Sequence, residues 1–95
     1  MADEVISKDV LINRLKRIEG QVRGLQKMID NGRDCESILT QLAAVRSAIE
    51  SVGALVLNNY MRFCFARGSE EESANIDSLA RALAIWGRLH VGSNR

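Results

Sequence analysis

Apolar residues recur along this chain at steps of three and four, in three separate stretches. That period stacks side chains on one face of an α-helix. The first stretch carries Leu11, Leu15, Ile18, Val22, Leu25 and Ile29. Ser7 or Asp9 suits its N-cap, and Asn31-Gly32 its stop, glycine being at ease in a left-handed cap. The second begins behind Asp34 and carries Ile38, Leu42, Val45, Ile49, Val52 and Val56, continuing to Phe63. Its alternating steps of four and three make a heptad-like seam, which Cys35 extends backwards and Arg67-Gly68 closes. The third follows an acidic turn where Ser69 and Glu72 fit a capping box, and its stripe is Ile76, Leu79, Leu83 and Trp86. The pattern predicts an all-α fold in one domain, 1–95, with helices over about 8–30, 35–67 and 70–90 and a frayed tail from Val91.

Composition changes this picture in three respects. Proline is absent, so nothing interrupts the helices. A helix of more than 30 residues far exceeds the usual ~11–12 and cannot be covered by a chain of 95 residues, so a bundle shared between chains is expected. The net charge is only +1, yet between Val10 and Ile29 lie Arg14, Lys16, Arg17, Arg23 and Lys27, opposed only by Glu19. Gly20 and Gly24 sit inside that helix at a cost of about 1 kcal/mol each relative to alanine, which close approach by another helix would offset. No apolar run approaches the roughly 20 residues of a bilayer span, and Met1-Ala2-Asp3-Glu4 does not resemble a signal peptide. A cytoplasmic protein with no membrane partner is expected. No nucleophile–base set, carboxylate pair or phosphate loop indicates an enzyme.

The chemistry concentrates in two cysteines, Cys35 and Cys64. Twenty-nine residues of helix rise about 43 Å, whereas a disulfide needs Cα atoms about 4.4–6.8 Å apart. The same 29 steps return Cys64 to within about 20° of Cys35 around the helix axis. An antiparallel partner helix therefore brings Cys35 of one chain beside Cys64 of another. Tyr60, four residues before Cys64, shares its face.

The string Arg14-Leu15-Lys16-Arg17-Ile18-Glu19-Gly20-Gln21-Val22-Arg23-Gly24, then Cys35, then Leu39-Thr40-Gln41-Leu42-Ala43-Ala44-Val45-Arg46, closely resembles the CsoR/RcnR family of bacterial repressors. The resemblance implies a three-helix protomer, an antiparallel four-helix-bundle dimer and a dimer-of-dimers tetramer. It also implies operator DNA, G/C-rich and inverted, bound without a helix-turn-helix and released when a ligand reacts at the cysteine. Copper sensors of the family carry a histidine four residues before the second cysteine, where this chain has Tyr60. They tend to have a tyrosine before the first cysteine and a glutamate 16 residues after the second; here these are Asp34 and Ala80. Nickel/cobalt and formaldehyde members use an N-terminal histidine or a proline at position 2, and this chain offers Ala2. What remains is similar to the CstR-like persulfide-sensing branch.

On that resemblance, the sequence reads as a DNA-binding repressor whose inducer is reactive sulfur. Cys35 attacks the sulfane sulfur of a persulfide or polysulfide, and Cys64 of the neighbouring chain resolves the product as an interchain di-, tri- or tetrasulfide. Tyr60 shapes access to the site. Arg14, Lys16, Arg17 and Arg46 are the expected DNA contacts, with no resident metal or cofactor. The alternative is a repressor responsive to Cu(I) or another metal, with Cu(I) held by Cys35 and Cys64.

Overall fold

A computed structural model of the chain describes residues 5–66 and 72–93, with side chains over 5–63 and 76–87. It contains three helices, α1 (Lys8–Asp30), α2 (Cys35–Ala66) and α3 (Glu72–Ser93), and no strand among the described residues. The all-α fold is as the periodicity requires. Helix α3 continues to Ser93, so residues 91–93 are helical rather than frayed. The Ser69 half of the expected capping box lies outside the described residues.

Short-range chemistry sets the helix ends. Of the two candidate caps for α1, Ser7 is the one used: its Oγ accepts from the Val10 N–H at 3.2 Å. At the other end, Gly32 takes φ +72°. Its N–H donates to the Ile29 carbonyl at 3.1 Å, and the Arg33 N–H donates to the Met28 carbonyl at 2.9 Å. This paired closure consumes two carbonyls the helix would otherwise leave open. Asp34 then caps α2, accepting from the Ser37 N–H at 3.0 Å and the Ser37 hydroxyl at 2.9 Å.

The Ser37 backbone bond, reinforced by the Ser37 hydroxyl, holds the Asp34 carboxyl below its ordinary value. A lowered folded pKa means that stability from this cap is fully present above the unfolded carboxylate's pKa and is lost as pH falls through the folded one. Thermal melts on a falling pH series should therefore show α2 loosening at the acid end, and Asp34→Asn should remove that part of the pH dependence.

Two compact units divide the chain, and α2 contributes to both. Ser7–Ala54 is an antiparallel hairpin of α1 and the first part of α2. Its core is Ile18 and Leu25 from α1 with Val45 and Val52 from α2, flanked by Leu11, Met28, Ile38 and Ala48. These positions form rows seven residues apart: Leu11, Ile18, Leu25 on one helix and Ile38, Val45, Val52 on the other.

The remaining apolar positions form a second pair of seven-residue rows, four residues on. Leu15, Val22 and Ile29 of α1, and Leu42 and Ile49 of α2, are 41–61 % exposed. A four-residue step turns a helix by about +40°. Because the two helices are antiparallel, equal turns carry both rows to the same side of the hairpin. The expected stripes thus split in two: one row of each helix closes the hairpin, and the other gives it a continuous apolar outer face.

The second unit gathers the segment ending at Ile6 with Leu55–Arg95. Leu79 of α3 is buried and Trp86 half-buried, whereas Ile76 and Leu83 of the same expected stripe are about half exposed. Within this unit Ile6 and Asn59 exchange two hydrogen bonds. The Ile6 N–H donates to Asn59 Oδ1 at 2.8 Å, and Asn59 Nδ2 donates to the Ile6 carbonyl at 2.9 Å.

One expectation needs correction. Over Cys35–Phe63, α2 is long and apolar enough to cross a bilayer by length and composition, an 18-residue window within it reaching a mean hydropathy of 1.2. Yet Arg46 and Glu50 stand mid-helix, and each charge at a bilayer centre costs about 2.5–3.5 kcal/mol. A protein partner would cover the apolar row without that penalty. As for the α1 glycines, no other helix closes on them among the described residues, so the close approach expected for them is not made within this part of the chain. A Cβ at Gly24 would meet nothing within 4 Å, and one at Gly20 only the end of Arg23 at 3.9 Å.

Candidate sensing and nucleic-acid-binding sites

Cys35 is a free, exposed thiol in the first turn of α2. Seven residues separate it from Leu42 and fourteen from Ile49, so it heads the exposed apolar row of that helix. The recess at the hairpin turn, lined by Met28, Arg33, Asp34, Glu36, Ser37, Thr40 and Gln41, does not include it. The thiol therefore belongs to the apolar face and not to the polar one.

Cys64 lies on the same unbroken helix, which runs to Ala66; its side chain is outside the described residues. The helical continuity that keeps the two cysteines of one chain about 43 Å apart along the axis is thus present. Tyr60, one turn before Cys64, is half-buried. Two thiols supply soft donors, which suit Cu(I) among the first-row metals. A phenol one turn away is a harder and weaker donor than an imidazole would be.

The basic residues do not form one patch within the chain. Arg14 and Arg17 come together in a recess of about 240 Å³ between α1 and α2, shared with Ile18, Gln21, Ala48 and Ser51. By helical position this recess is on the side of the hairpin opposite the apolar face. Lys16 stands with Arg23 and Lys27 along the outer edge of α1, and Arg46 follows buried Val45 on the flank of the apolar face. So two of the four expected DNA contacts converge, and Lys16 and Arg46 lie apart from them.

Gln21 and Ser51 were not singled out by the sequence reading, yet they furnish the neutral hydrogen-bonding groups of the Arg14–Arg17 recess. Their spacing held a signal: Gln21 is seven residues beyond Arg14, and Ser51 adjoins buried Val52. An arginine pair with amide and hydroxyl neighbours is chemically matched to phosphate oxygens.

Comparison with known proteins identifies the family. Residues 7–84 match the family model described as metal-sensitive transcriptional repressor. The chain is 41% identical over 83 residues to the copper-sensing transcriptional repressor RicR of Mycobacterium tuberculosis (strain ATCC 25618 / H37Rv), covering 86% of each. It is 49% identical over 59 residues to the copper-sensing transcriptional repressor CsoR of Bacillus subtilis (strain 168), a match spanning 62% of this chain and 58% of that relative. Among solved structures, the nickel-responsive transcriptional regulator InrS superposes with a TM-score of 0.82 at 35% identity, covering 87% of this chain and 96% of that one.

Proposed function

This chain belongs to the metal-sensitive transcriptional repressor family, and from that membership we propose that it is a Cu(I)-responsive repressor acting on operator DNA in the cytoplasm. The observation that carries the proposal is the position of Cys35, a free exposed thiol at the head of an apolar row that its own chain leaves uncovered. A second copy laid antiparallel seals that row and sets its Cys64 beside Cys35. Two thiolates from two chains then form the binding site, and a dimer has two such sites, one at each end. Two dimers assemble into a tetramer that presents several Arg14–Arg17 recesses to a G/C-rich inverted operator.

In this scheme Cys35 and Cys64 hold the ion as thiolates, so binding releases protons. The bound ion supplies a tie between chains that free thiols do not provide. Tyr60, one turn before Cys64, limits solvent access to the site. Arg14 and Arg17 bind backbone phosphates, which makes operator affinity salt-dependent. Metal and DNA favour different arrangements of the bundle, and each weakens the other's binding by the same factor.

The sequence alone put reactive sulfur before metal, because Tyr60 replaces the histidine of copper sensors. The relatives compared are named for copper and nickel, which moves metal to first place. Tyr60 still favours a second reading, in which polysulfide cross-links Cys35 to Cys64 of a second copy. Fluorescence anisotropy on labelled operator separates the two. Stoichiometric Cu(I) should weaken binding by about 5–150-fold, Cys35→Ser should abolish the effect, and polysulfide should leave affinity unchanged. Release by polysulfide alone would establish the second reading in place of the first.

Gly24 offers a separate check. It follows Arg17 by seven residues on the recess side of α1, and a Cβ there would meet nothing within 4 Å among the described residues. Gly24→Ala should stabilise the protein by about 1 kcal/mol through helix propensity. It should at the same time weaken operator binding, because the methyl group stands where a DNA backbone approaches α1. A calorimetric melt paired with a binding titration would show the opposite signs.

A further inference from the structure

Asn59 occupies an anomalous place. It continues the seven-residue row Ile38, Val45, Val52, whose last two members are buried. A polar side chain at such an apolar-register position of a helix lowers stability in return for specificity. Asn59 is half-buried and is satisfied by the backbone of Ile6, 53 residues away, through a donated and an accepted bond. Ile6 is followed at once by Ser7, whose Oγ and carbonyl receive the Val10 and Leu11 N–H groups and so start α1. Asn59 is followed at once by Tyr60 and, five residues on, by Cys64.

We infer that Asn59 is a latch through which events at the Cys64 end of α2 reach the start of α1 and hence Arg14 and Arg17. A side-chain amide makes both bonds to the N–H and C=O of a single residue only when its donor and its acceptor are aligned together. The pair of bonds is therefore a two-state element, docked or released, and not a graded contact. A ligand that draws Cys64 toward Cys35 of another copy turns or shifts the helical turn bearing Asn59 and releases the latch. Ile6 then no longer fixes the start of α1, and the arginine recess loses its setting. Asn59 is a positioning residue: it touches neither inducer nor DNA. The inference rests on the repressor reading above and adds the route by which its two sites communicate.

The test uses full-length wild type and Asn59→Leu, the latter keeping size and helix and suiting the apolar row, with Asn59→Asp as a second variant able to accept from Ile6 but not to donate to its carbonyl. Three quantities are read: hydrogen exchange at the Ile6 amide, Cu(I) stoichiometry, and the ratio of operator Kd with and without Cu(I). In Asn59→Leu, Ile6 exchange should rise at least tenfold, Cu(I) stoichiometry should hold, and the Kd ratio should fall at least fivefold. Asn59→Asp should move the same way. Faster Ile6 exchange with an unchanged Kd ratio overturns the latch while leaving the metal reading intact. A wild type indifferent to Cu(I) but released by polysulfide fails the metal reading alone, and the latch is then judged by the same fivefold criterion with polysulfide. A wild type indifferent to both overturns the latch, since no signal exists for it to carry.

Discussion

Ile49→Asp should leave a folded helical hairpin that no longer assembles. In the isolated chain Ile49 is 43% exposed, so a carboxylate there is solvated and the Ile18–Leu25–Val45–Val52 core is untouched. Surface changes of that kind usually shift stability by no more than about 0.5 kcal/mol. In a bundle sealed by a second copy the same carboxylate is buried without a partner, at about 3–5 kcal/mol. A two-fold interface carries the change twice. The dimer dissociation constant should thus rise by at least about two orders of magnitude, and operator binding should fail with it. Sedimentation velocity would read the loss of assembly while circular dichroism reads retained helix. Normal assembly of Ile49→Asp would mean that the apolar face serves another purpose.

The second large effect belongs to the arginine recess. Replacing Arg14 and Arg17 together by glutamine removes two phosphate-binding cations per copy without filling or emptying the core, since both side chains are exposed. Each lost phosphate contact flattens the dependence of log K on log salt by about 0.9. The slope should therefore fall by about 2 for every copy that touches DNA, and affinity at low salt by at least about a hundredfold. Assembly and metal binding should stay as in wild type. A double variant with the wild-type slope would move the DNA face elsewhere, first to Lys16, Arg23 and Lys27.

The helices, the caps at Ser7, Gly32 and Asp34 and the list of apolar positions were legible in the sequence because each is fixed by neighbours within one turn, while the expected Arg67-Gly68 stop lies outside the described residues. Asp34 and Gly32 do in the structure what their types imply. What the sequence left open was which apolar row faces inward. Leu11, Ile18, Leu25 and Leu15, Val22, Ile29 have the same spacing and residue classes; only the hairpin's direction sorts one to the core and the other to the outside. The Ile6–Asn59 pair was invisible for a related reason, its members being 53 residues apart. The basic residues illustrate a further limit. Arg14 and Arg17 share a face by spacing, but their partners Gln21 and Ser51 are assigned only once α1 and α2 are paired. At the sensing site, Tyr60 told what donor is missing, which is weaker information than what the two thiols bind.

A heterodimer formed from one Cys35→Ser chain and one Cys64→Ser chain, purified through two different tags, tests the shared-thiol site most directly. If each site takes Cys35 from one chain and Cys64 from the other, one end of this heterodimer keeps both thiols and the other end has neither. Titration with Cu(I) against a competing chelator should then give one tightly bound ion per heterodimer and none for either parent homodimer. A heterodimer that binds no more than its parents would contradict a site built between chains.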